Sequence, residues 1–328
     1  MWKFTTALLA LTSVISHGDS KQGTRRADPL ASLGMTTNAE RAAQGTIVGR
    51  WDFIVTQGAN KVPSWLEVRP SGNGYLVGQF VGVVGMARPV ARIDTTGGMI
   101  RFAIPPQWEQ GTGDLQVEGR MESDELRGTM TFPDGKRSDF SAKRAPSLRR
   151  TAKPQWGNPI PLFNGKDLTG WRALGTNQWR AVNGVLQSPR SGANLVTERT
   201  FTDYTLHLEF RYPKGSNSGV YQRGRYEVQI EDSLTTESQN DLLGGVYGFL
   251  APSEVMAKKP GEWQSFDITL VGRMITVVAN GRTVICNREI PGPTGGALDS
   301  DEGAPGPLLL QGDHGPIEYR NIVLRPAK

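Results

Sequence analysis

Short runs of alternating polar and apolar residues, broken by Gly, Pro or Asp, fill most of this chain. Two examples are TIVGRWDFIVTQ, which begins at Thr46, and YTLHLEFRYP, which begins at Tyr204. Alternation with period two indicates half-buried β-strands, and no segment beyond the N-terminus sustains a helical period. The 40 Gly and 21 Pro residues supply the many turns that such strands need. The sequence therefore predicts an all-β fold, and its 328 residues are enough for two domains.

The predicted strands form two groups. Residues 45–145 contain about eight short strands, a pattern that favours a small antiparallel β-barrel. Within them, GRWDFIV resembles the Gly-x-Trp opening of lipocalin-like barrels, in which Trp51 would plug one end. Residues 146–158 are predicted to be a linker. Residues 159–328 contain about a dozen strands, which favours a two-sheet jelly-roll sandwich.

The N-terminus has the pattern of an export signal. One Lys precedes a short apolar run from Phe4 to Ile15, followed by small and polar residues. We therefore predict a signal peptide over 1–18, a flexible lead-in over 19–44, and a periplasmic or secreted protein. The apolar run is short for a spanning helix, so no stable membrane span is expected once the signal is removed.

Composition excludes several classes of function. The net charge of +5 arises largely from KRAPSLRRTAK (143–153), a cluster without interleaved aromatic residues, so nucleic acid is not an expected partner. A single cysteine, Cys286, excludes an intrachain disulfide and a multi-thiolate metal site. The sequence does not predict the oligomeric state.

Two predicted strands carry ionisable or amide side chains along one face. In YEVQIED, Glu227 and Gln229 alternate with apolar residues, and in YTLHLEFRYP, Glu209 and Arg211 do the same. These side chains either face water on a strand surface, where Glu209 and Arg211 would form an ion pair, or they bind a polar ligand.

Six segments within residues 159–328 resemble the motifs of one known family and occur in the same order as in that family. They are IPLFNGKDLTGWRAL (160–174), FTDYTLHLEFRYPKGSNSGVYQR (201–223), YEVQIED (226–232), GGVYGFLAP (244–252), KKPGEWQSFDITLVGRMITVVANG (258–281) and LLLQGDHGPIEYRNIVLRP (308–326). Together they resemble the 3-keto-disaccharide hydrolase family over residues 159–328, whereas the predicted barrel lies outside the resemblance.

The resemblance implies a concanavalin A-like sandwich acting on sugars whose C3 hydroxyl has been oxidised to a ketone. Such a ketone acidifies the C2 proton, so a base could expel the aglycone from C1 by β-elimination. Addition of water to the resulting enone would then give net hydrolysis. Without this addition the enzyme would be a lyase. This chemistry needs a general base, donors for the enolate oxygen and a proton for the leaving group. A non-catalytic, lectin-like protein that uses the same groove is the alternative.

The resemblance also marks motif positions that are candidate site residues. Glu227 and His314 are predicted to transfer protons, with the base left open between them, and Arg223 and Gln311 to orient the keto sugar. Glu209 is a further catalytic candidate. The remaining candidates for substrate binding are Gln229, Asn217, Tyr247, Arg211 and Arg320.

The sequence predicts no obligatory cofactor. The acidic segment EDSLTTESQND (231–241) has oxygen ligands that calcium prefers but lacks the spacing of a known calcium loop. A solvated loop is the expectation there. The expected partner is an oxidised sugar or glycoside.

Overall fold

The computed structural model describes residues 47–233 and 239–328 of the chain. The predicted signal peptide and the lead-in lie outside the described residues and stay predictions. Twenty-one β-strands and short 3-10 turns make up the described regular structure, so the all-β prediction is confirmed. Among these residues no helix is long and apolar enough to cross a membrane.

The first eight strands form one antiparallel sheet that nearly closes into a barrel, as predicted. The sheet order is β4-β3-β2-β1-β8-β7-β6-β5, and its two edge strands meet at a backbone bridge between Asp94 and Arg101, with both N···O distances 2.9 Å. The strands are β1 (Gly49–Gln57), β2 (Asn60–Gly72), β3 (Tyr75–Val81), β4 (Arg88–Ile93), β5 (Met99–Ile104), β6 (Leu115–Glu122), β7 (Glu125–Thr131) and β8 (Arg137–Arg144).

Inward-facing apolar side chains from all eight strands fill the barrel. Trp51 belongs to this core and is fully buried; its indole N–H donates to the Ile47 carbonyl at 2.8 Å. The guanidinium of Arg144, at the end of β8, lies 4.0 Å from the centre of the Trp51 ring. Stacking of a cation on an indole face stabilises this end of the barrel.

The remaining strands form two antiparallel sheets packed face to face. The five-stranded sheet has the order β10-β13-β20-β15-β16, and the other has the order β11-β12-β21-β14-β17-β18-β19 with β9 beside β21. The strands of the two sheets together are β9 (Ile160–Pro161), β10 (Trp171–Ala173), β11 (Arg180–Val182), β12 (Val185–Ser188), β13 (Leu195–Phe201), β14 (Tyr204–Arg211), β15 (Asn217–Gln222), β16 (Tyr226–Glu231), β17 (Gln264–Val271), β18 (Met274–Ala279), β19 (Arg282–Glu289), β20 (Gly306–Leu310) and β21 (Ile317–Pro326).

The second hydrophobic core lies between these two sheets. Val228 and Ile230 of β16 enter it from the five-stranded sheet, and Leu206 and Leu208 of β14 enter it from the larger one. Because side chains alternate along a strand, the residues between these positions point outward on opposite sides of the sandwich.

The barrel and the sandwich are in direct contact. Trp65 of the barrel packs edge-on against Phe249 of the sandwich, with ring centroids 5.3 Å apart. The Arg50 guanidinium bonds the Glu289 carboxylate at 2.7 Å, and the Ser300 hydroxyl donates to the Phe53 carbonyl.

A buried charge cluster lies within this contact. Glu302 is fully buried, and its Oε1 accepts from Tyr226 Oη at 2.6 Å and from Arg273 Nε at 3.0 Å. Asp52 of the barrel hydrogen-bonds to the same carboxyl group; burial first, and then the charge of Glu302, raises the pKa of Asp52 to about 9. Asp52 therefore carries a proton at neutral pH.

This proton makes the stability of the chain depend on pH. The folded protein keeps it up to about pH 9, whereas an unfolded chain releases it near the ordinary pKa of 3.8. The free energy of unfolding should therefore fall as pH rises between those values. Asp52→Asn, whose amide donates without titrating, should weaken the decline of Tm with pH and give the higher Tm at pH 8.

Thermal unfolding followed from pH 5 to 8 measures this, with the exposed Asp139→Asn as the matched control. An unchanged pH slope in Asp52→Asn would show that the Asp52 carboxyl does not hold the proton.

Candidate functional site

The pairing of β15 with β16 places three pairs of residues on the outer face of the five-stranded sheet. Cross-strand partners are Tyr221 with Glu227, Gly219 with Gln229, and Asn217 with Glu231. We call these six residues the β15–β16 face. Intervening residues such as Val220 and Val228 enter the core, so the alternation fixes which side chains share the outer face.

Glu227 is the most enclosed acid of the β15–β16 face, with 3% of its surface exposed. Its carboxyl lies directly over Gly219: a Cβ at that glycine would be 2.0 Å from Glu227 Oε1. The Tyr221 hydroxyl donates to the Gly295 carbonyl at 3.0 Å, and its oxygen lies against the same carboxyl.

These surroundings favour the neutral form of Glu227. Burial raises the pKa of Glu227 well above its ordinary value, and the nearby charges of Asp241 and Asp313 add to this, while the bond from Tyr221 opposes it. A neutral carboxyl group is a proton donor, so Glu227 suits the role of a general acid rather than of a base at neutral pH.

Glu231 lies at the other end of the β15–β16 face and is half-buried. Its carboxylate accepts a hydrogen bond from the Asn217 amide. Burial is the main reason that the pKa of Glu231 is raised to about 7; the charges of Asp241 and Asp232 also raise it, and the bond from Asn217 lowers it. A carboxyl group with this pKa accepts a proton readily near neutral pH.

His314 lies beside this acidic end in the turn that follows β20. Its Nδ1 is 2.6 Å from Asp313 Oδ1, and 56% of its side chain is exposed. The bond to Asp313 raises the pKa of His314; burial opposes it, and the charges of Asp313, Glu231 and Asp241 reinforce it. The raised pKa favours the protonated form of His314, in which the imidazolium is a hydrogen-bond donor.

The segment from Gln239 to Phe249 adds two side chains. Asp241 accepts a hydrogen bond from the Gln229 amide. The backbone N–H of Tyr247 donates to the Glu227 carbonyl at 3.1 Å. Burial raises the pKa of Tyr247, so its hydroxyl stays neutral.

Two buried amide oxygens at this site have no hydrogen-bond partner among the described residues. They are Oε1 of Gln229 and Oε1 of Gln311, whose side chains are 1% and 7% exposed. Gln311 is tied to the β15–β16 face because its backbone N–H donates to the Gly219 carbonyl at 2.9 Å. An unpaired buried acceptor is costly, so both oxygens are candidates for pairing with a ligand once the covering side chains move.

Three predicted site residues lie on the opposite side of the sandwich from the β15–β16 face. Glu209, Arg211 and Arg320 project from the outer face of the larger sheet. There Arg320 pairs with Glu209 at 2.6 Å, and the two guanidinium groups lie 4.7 and 3.9 Å from the Trp263 ring centre. The hydrophobic core separates them from Glu227, so they cannot contact the same small ligand.

Arg223 is a fourth predicted site residue that does not lie on the β15–β16 face. It is fully buried in the turn after β15, with φ = 53°, and donates to the Tyr226 hydroxyl and the Gly272 carbonyl, both at 3.0 Å. A further bond reaches the Glu302 carbonyl at 3.2 Å. Its guanidinium therefore supports the buried charge cluster and does not face a sugar.

Sequence reasoning missed four residues of the site. Glu231 follows the same alternation as Glu227 and Gln229 and could have been found from that signal alone. Tyr221 could have been found from the cross-strand register, whereas Asp241 and Asp313 lie outside strands and become neighbours only through the folding of two separate segments.

A metal centre is not evident where the structure can be described. Within residues 47–233 and 239–328, no group of three or more His, Cys, Asp or Glu side chains is arranged to hold a metal ion. Residues 234–238 of the acidic segment lie outside the described residues, so the calcium hypothesis stays untested.

Gly219→Ala should displace Glu227, because the new methyl group would overlap its carboxyl oxygen. We expect the free energy of unfolding to fall by about 1–3 kcal/mol, as for overpacking in a core. Adding Glu227→Ala removes the obstacle, so the double variant should be destabilised by less than the sum of the two single variants.

Chemical denaturation of the four proteins measures this coupling. Gly113→Ala is the control, because a Cβ there meets nothing nearer than 3.8 Å. Strict additivity would contradict the contact between Glu227 and Gly219.

Comparison with known proteins finds a curated relative for part of the chain. A curated 3-keto-disaccharide hydrolase of Bacteroides thetaiotaomicron is 28% identical over 101 residues, which cover 27% of this chain and 33% of that protein. The match thus spans about a third of the length of that curated relative.

Two solved structures of proposed glycosyl hydrolases from Parabacteroides distasonis are also similar. The first is 27% identical, with a TM-score of 0.45, and the alignment covers 55% of this chain and 94% of that one. The second is 26% identical, with a TM-score of 0.42, covering 52% of this chain and 100% of that one.

The family described as the 3-keto-alpha-glucoside-1,2-lyase-like domain matches residues 158–325, just over half of the chain. These residues include both sheets of the sandwich and the whole β15–β16 face. The chain belongs to the family of 3-keto-alpha-glucoside-1,2-lyase-like domains.

Proposed function

We propose that this chain cleaves 3-keto-glycosides by β-elimination. A base removes the C2 proton, the electrons pass into an enolate at C3, and the C1–O bond then breaks to leave an enone. The departing oxygen takes a proton from an acid. Addition of water at C1 and return of a proton to C2 would complete a hydrolysis, and release of the enone would make the chain a lyase.

Three side chains of the site fit these roles. Glu231 accepts the C2 proton, because its pKa of about 7 leaves it partly ionised at neutral pH. The His314 imidazolium, oriented by Asp313, donates to the developing enolate oxygen. Glu227 gives its proton to the leaving oxygen and afterwards takes one from water.

The observation that carries this proposal is the pair of acids on one strand face with different ionisation. Glu227 and Glu231 are four positions apart on β16, about 13 Å between Cα atoms at the usual strand rise. Burial is complete around Glu227 and partial around Glu231, which separates a neutral donor from a carboxylate acceptor. Environments that push two pKa values apart are typical of acid–base pairs in enzymes.

Binding of the sugar ring would fall to the amides between the two acids. Gln229 lies between Glu227 and Glu231 on β16, and Gln311 lies beside Gly219 on the neighbouring strand. Their unpaired carbonyl oxygens are enclosed, so a sugar ring would have to displace the covering side chains before its hydroxyl groups donate to them.

The first experiment compares aglycone release from an aryl 3-keto-glucoside and from the unoxidised aryl glucoside. We expect release from the keto form alone, because only the ketone acidifies C2. Glu231→Gln and Glu227→Gln should each lower kcat by about 10²–10⁴-fold, the usual contribution of one general acid or base.

Glu209→Gln is the matched control, since Glu209 lies on the outer face of the other sheet, and it should retain full activity. Binding of both sugars without release from either would instead support the lectin-like alternative. Release that survives both the Glu231 and the Glu227 substitutions would remove these acids from the mechanism.

The pH dependence tests the assignment of the base. The value of kcat/KM should rise with pH through about 7 as Glu231 loses its proton, and it should fall again at higher pH where Glu227 ionises. Since neighbouring carboxyl groups titrate together, the two limbs belong to the coupled site. In Glu231→Gln the residual rate should lose the acidic limb; an unchanged acidic limb would assign it to another group.

A further inference from the structure

The barrel reaches the candidate site through the loop between β5 and β6. Trp108 is at the tip of this loop and has 64% of its surface exposed. Its indole lies against the hydroxyl of Tyr247, whose backbone N–H donates to the Glu227 carbonyl. An exposed indole on the barrel therefore lies close to the Glu227 end of the β15–β16 face.

The loop that carries Trp108 is held rigidly in spite of this exposure. Glu109 and Arg88 form a nearly buried ion pair at 2.6 Å. Glu109 also accepts from the backbone N–H of Gln107 at 2.8 Å, and the Gln107 side chain accepts from the N–H of Met86 at 2.8 Å. An aromatic side chain on such a support loses little entropy when it binds a ligand.

Two glycines bring the barrel close to the site. A Cβ at Gly85 would lie 2.8 Å from Trp108 Cδ1, and a Cβ at Gly295 would lie 2.2 Å from the Gly85 carbonyl oxygen. The Gly295 carbonyl in turn accepts a hydrogen bond from the hydroxyl of Tyr221, the cross-strand partner of Glu227. The barrel loops thus lie against the residues that surround Glu227.

Trp108 also lines a cavity of about 650 Å³ at the mouth of the barrel. Turns at one end of the barrel form this cavity, and Val83, Val84 and Phe132 provide its apolar side. Val84 is 45% exposed, which extends the apolar surface beside Trp108. This volume is within the range of small-molecule sites and is larger than the volume of a single sugar or aryl ring.

We propose that Trp108 and the barrel mouth form the aglycone subsite, which takes a ring-shaped aglycone, either aryl or hexosyl. This inference rests on the proposed function, because it puts C1 of the keto sugar at the Glu227 end of the face. The indole face packs against an aromatic ring or the apolar side of a sugar ring. Residues 158–325, which match the family, lack this surface, so the barrel sets the preference for the aglycone.

The test compares wild type, Trp108→Ala and Trp108→Phe on three 3-keto-glucosides, with methyl, aryl and hexosyl aglycones. Trp108→Ala should raise KM about three- to tenfold for ring aglycones, the range expected from one aromatic contact, and leave the methyl glycoside unchanged. Trp108→Phe should recover most of the affinity. Tyr75→Ala is the control, since Tyr75 is an exposed aromatic residue at the other end of the barrel.

Calorimetric titration with the unoxidised methyl, aryl and hexosyl glucosides gives a readout that needs no turnover. A loss confined to the aryl or to the hexosyl compound identifies which ring the subsite takes. Equal effects on all three compounds, or no effect in either assay, would overturn the inference. Absence of turnover in wild type with selective loss of ring binding in Trp108→Ala would refute the proposed function and leave the subsite standing.

Discussion

The hydrogen-bonded register between β15 and β16 is the constraint on which the candidate site depends. It places Tyr221 opposite Glu227 and Asn217 opposite Glu231, with Gly219 in the space that the Glu227 carboxyl occupies. A slip of one residue would turn every one of these side chains into the core and bring Val220 and Val228 to the surface. The apolar core between the sheets therefore enforces the arrangement of the polar face, because only one register buries the apolar residues.

Burial also explains how one strand could supply two kinds of acid. Glu227 is covered by Tyr221, Tyr247 and the loops above them, so removal from water favours its neutral form. Glu231 lies nearer the open edge beside His314 and titrates near neutrality. The same effect operates at the contact between the domains, where Asp52 keeps a proton against Glu302. In both places burial and a nearby carboxylate favour the protonated form of a carboxyl group.

Much of the fold could be predicted from the sequence, but only part of the site. Alternation and turn residues indicated a barrel followed by a sandwich, and the polar side chains of YEVQIED pointed to β16. The same alternation pointed equally to Glu209 and Arg211 on β14, and those residues lie on the other side of the molecule. A period of two reveals that a strand has one polar face, but both sheets of a sandwich have such a face, and a strand pattern does not tell which of the two is enclosed by loops.

The sequence alone determined the all-β class, the family of residues 158–325 and the alternation that puts Glu227, Gln229 and Glu231 on one side of a strand, since these depend on local pattern and motif. Only the tertiary structure decided which candidates meet. It turned Arg223 inward towards Tyr226 and brought Asp241 and Asp313 beside the acids. It also carried Trp108 of the barrel to Tyr247. Most of these contacts join residues that are far apart in the chain. They depend on the packing of sheets and loops, which a local sequence period does not encode.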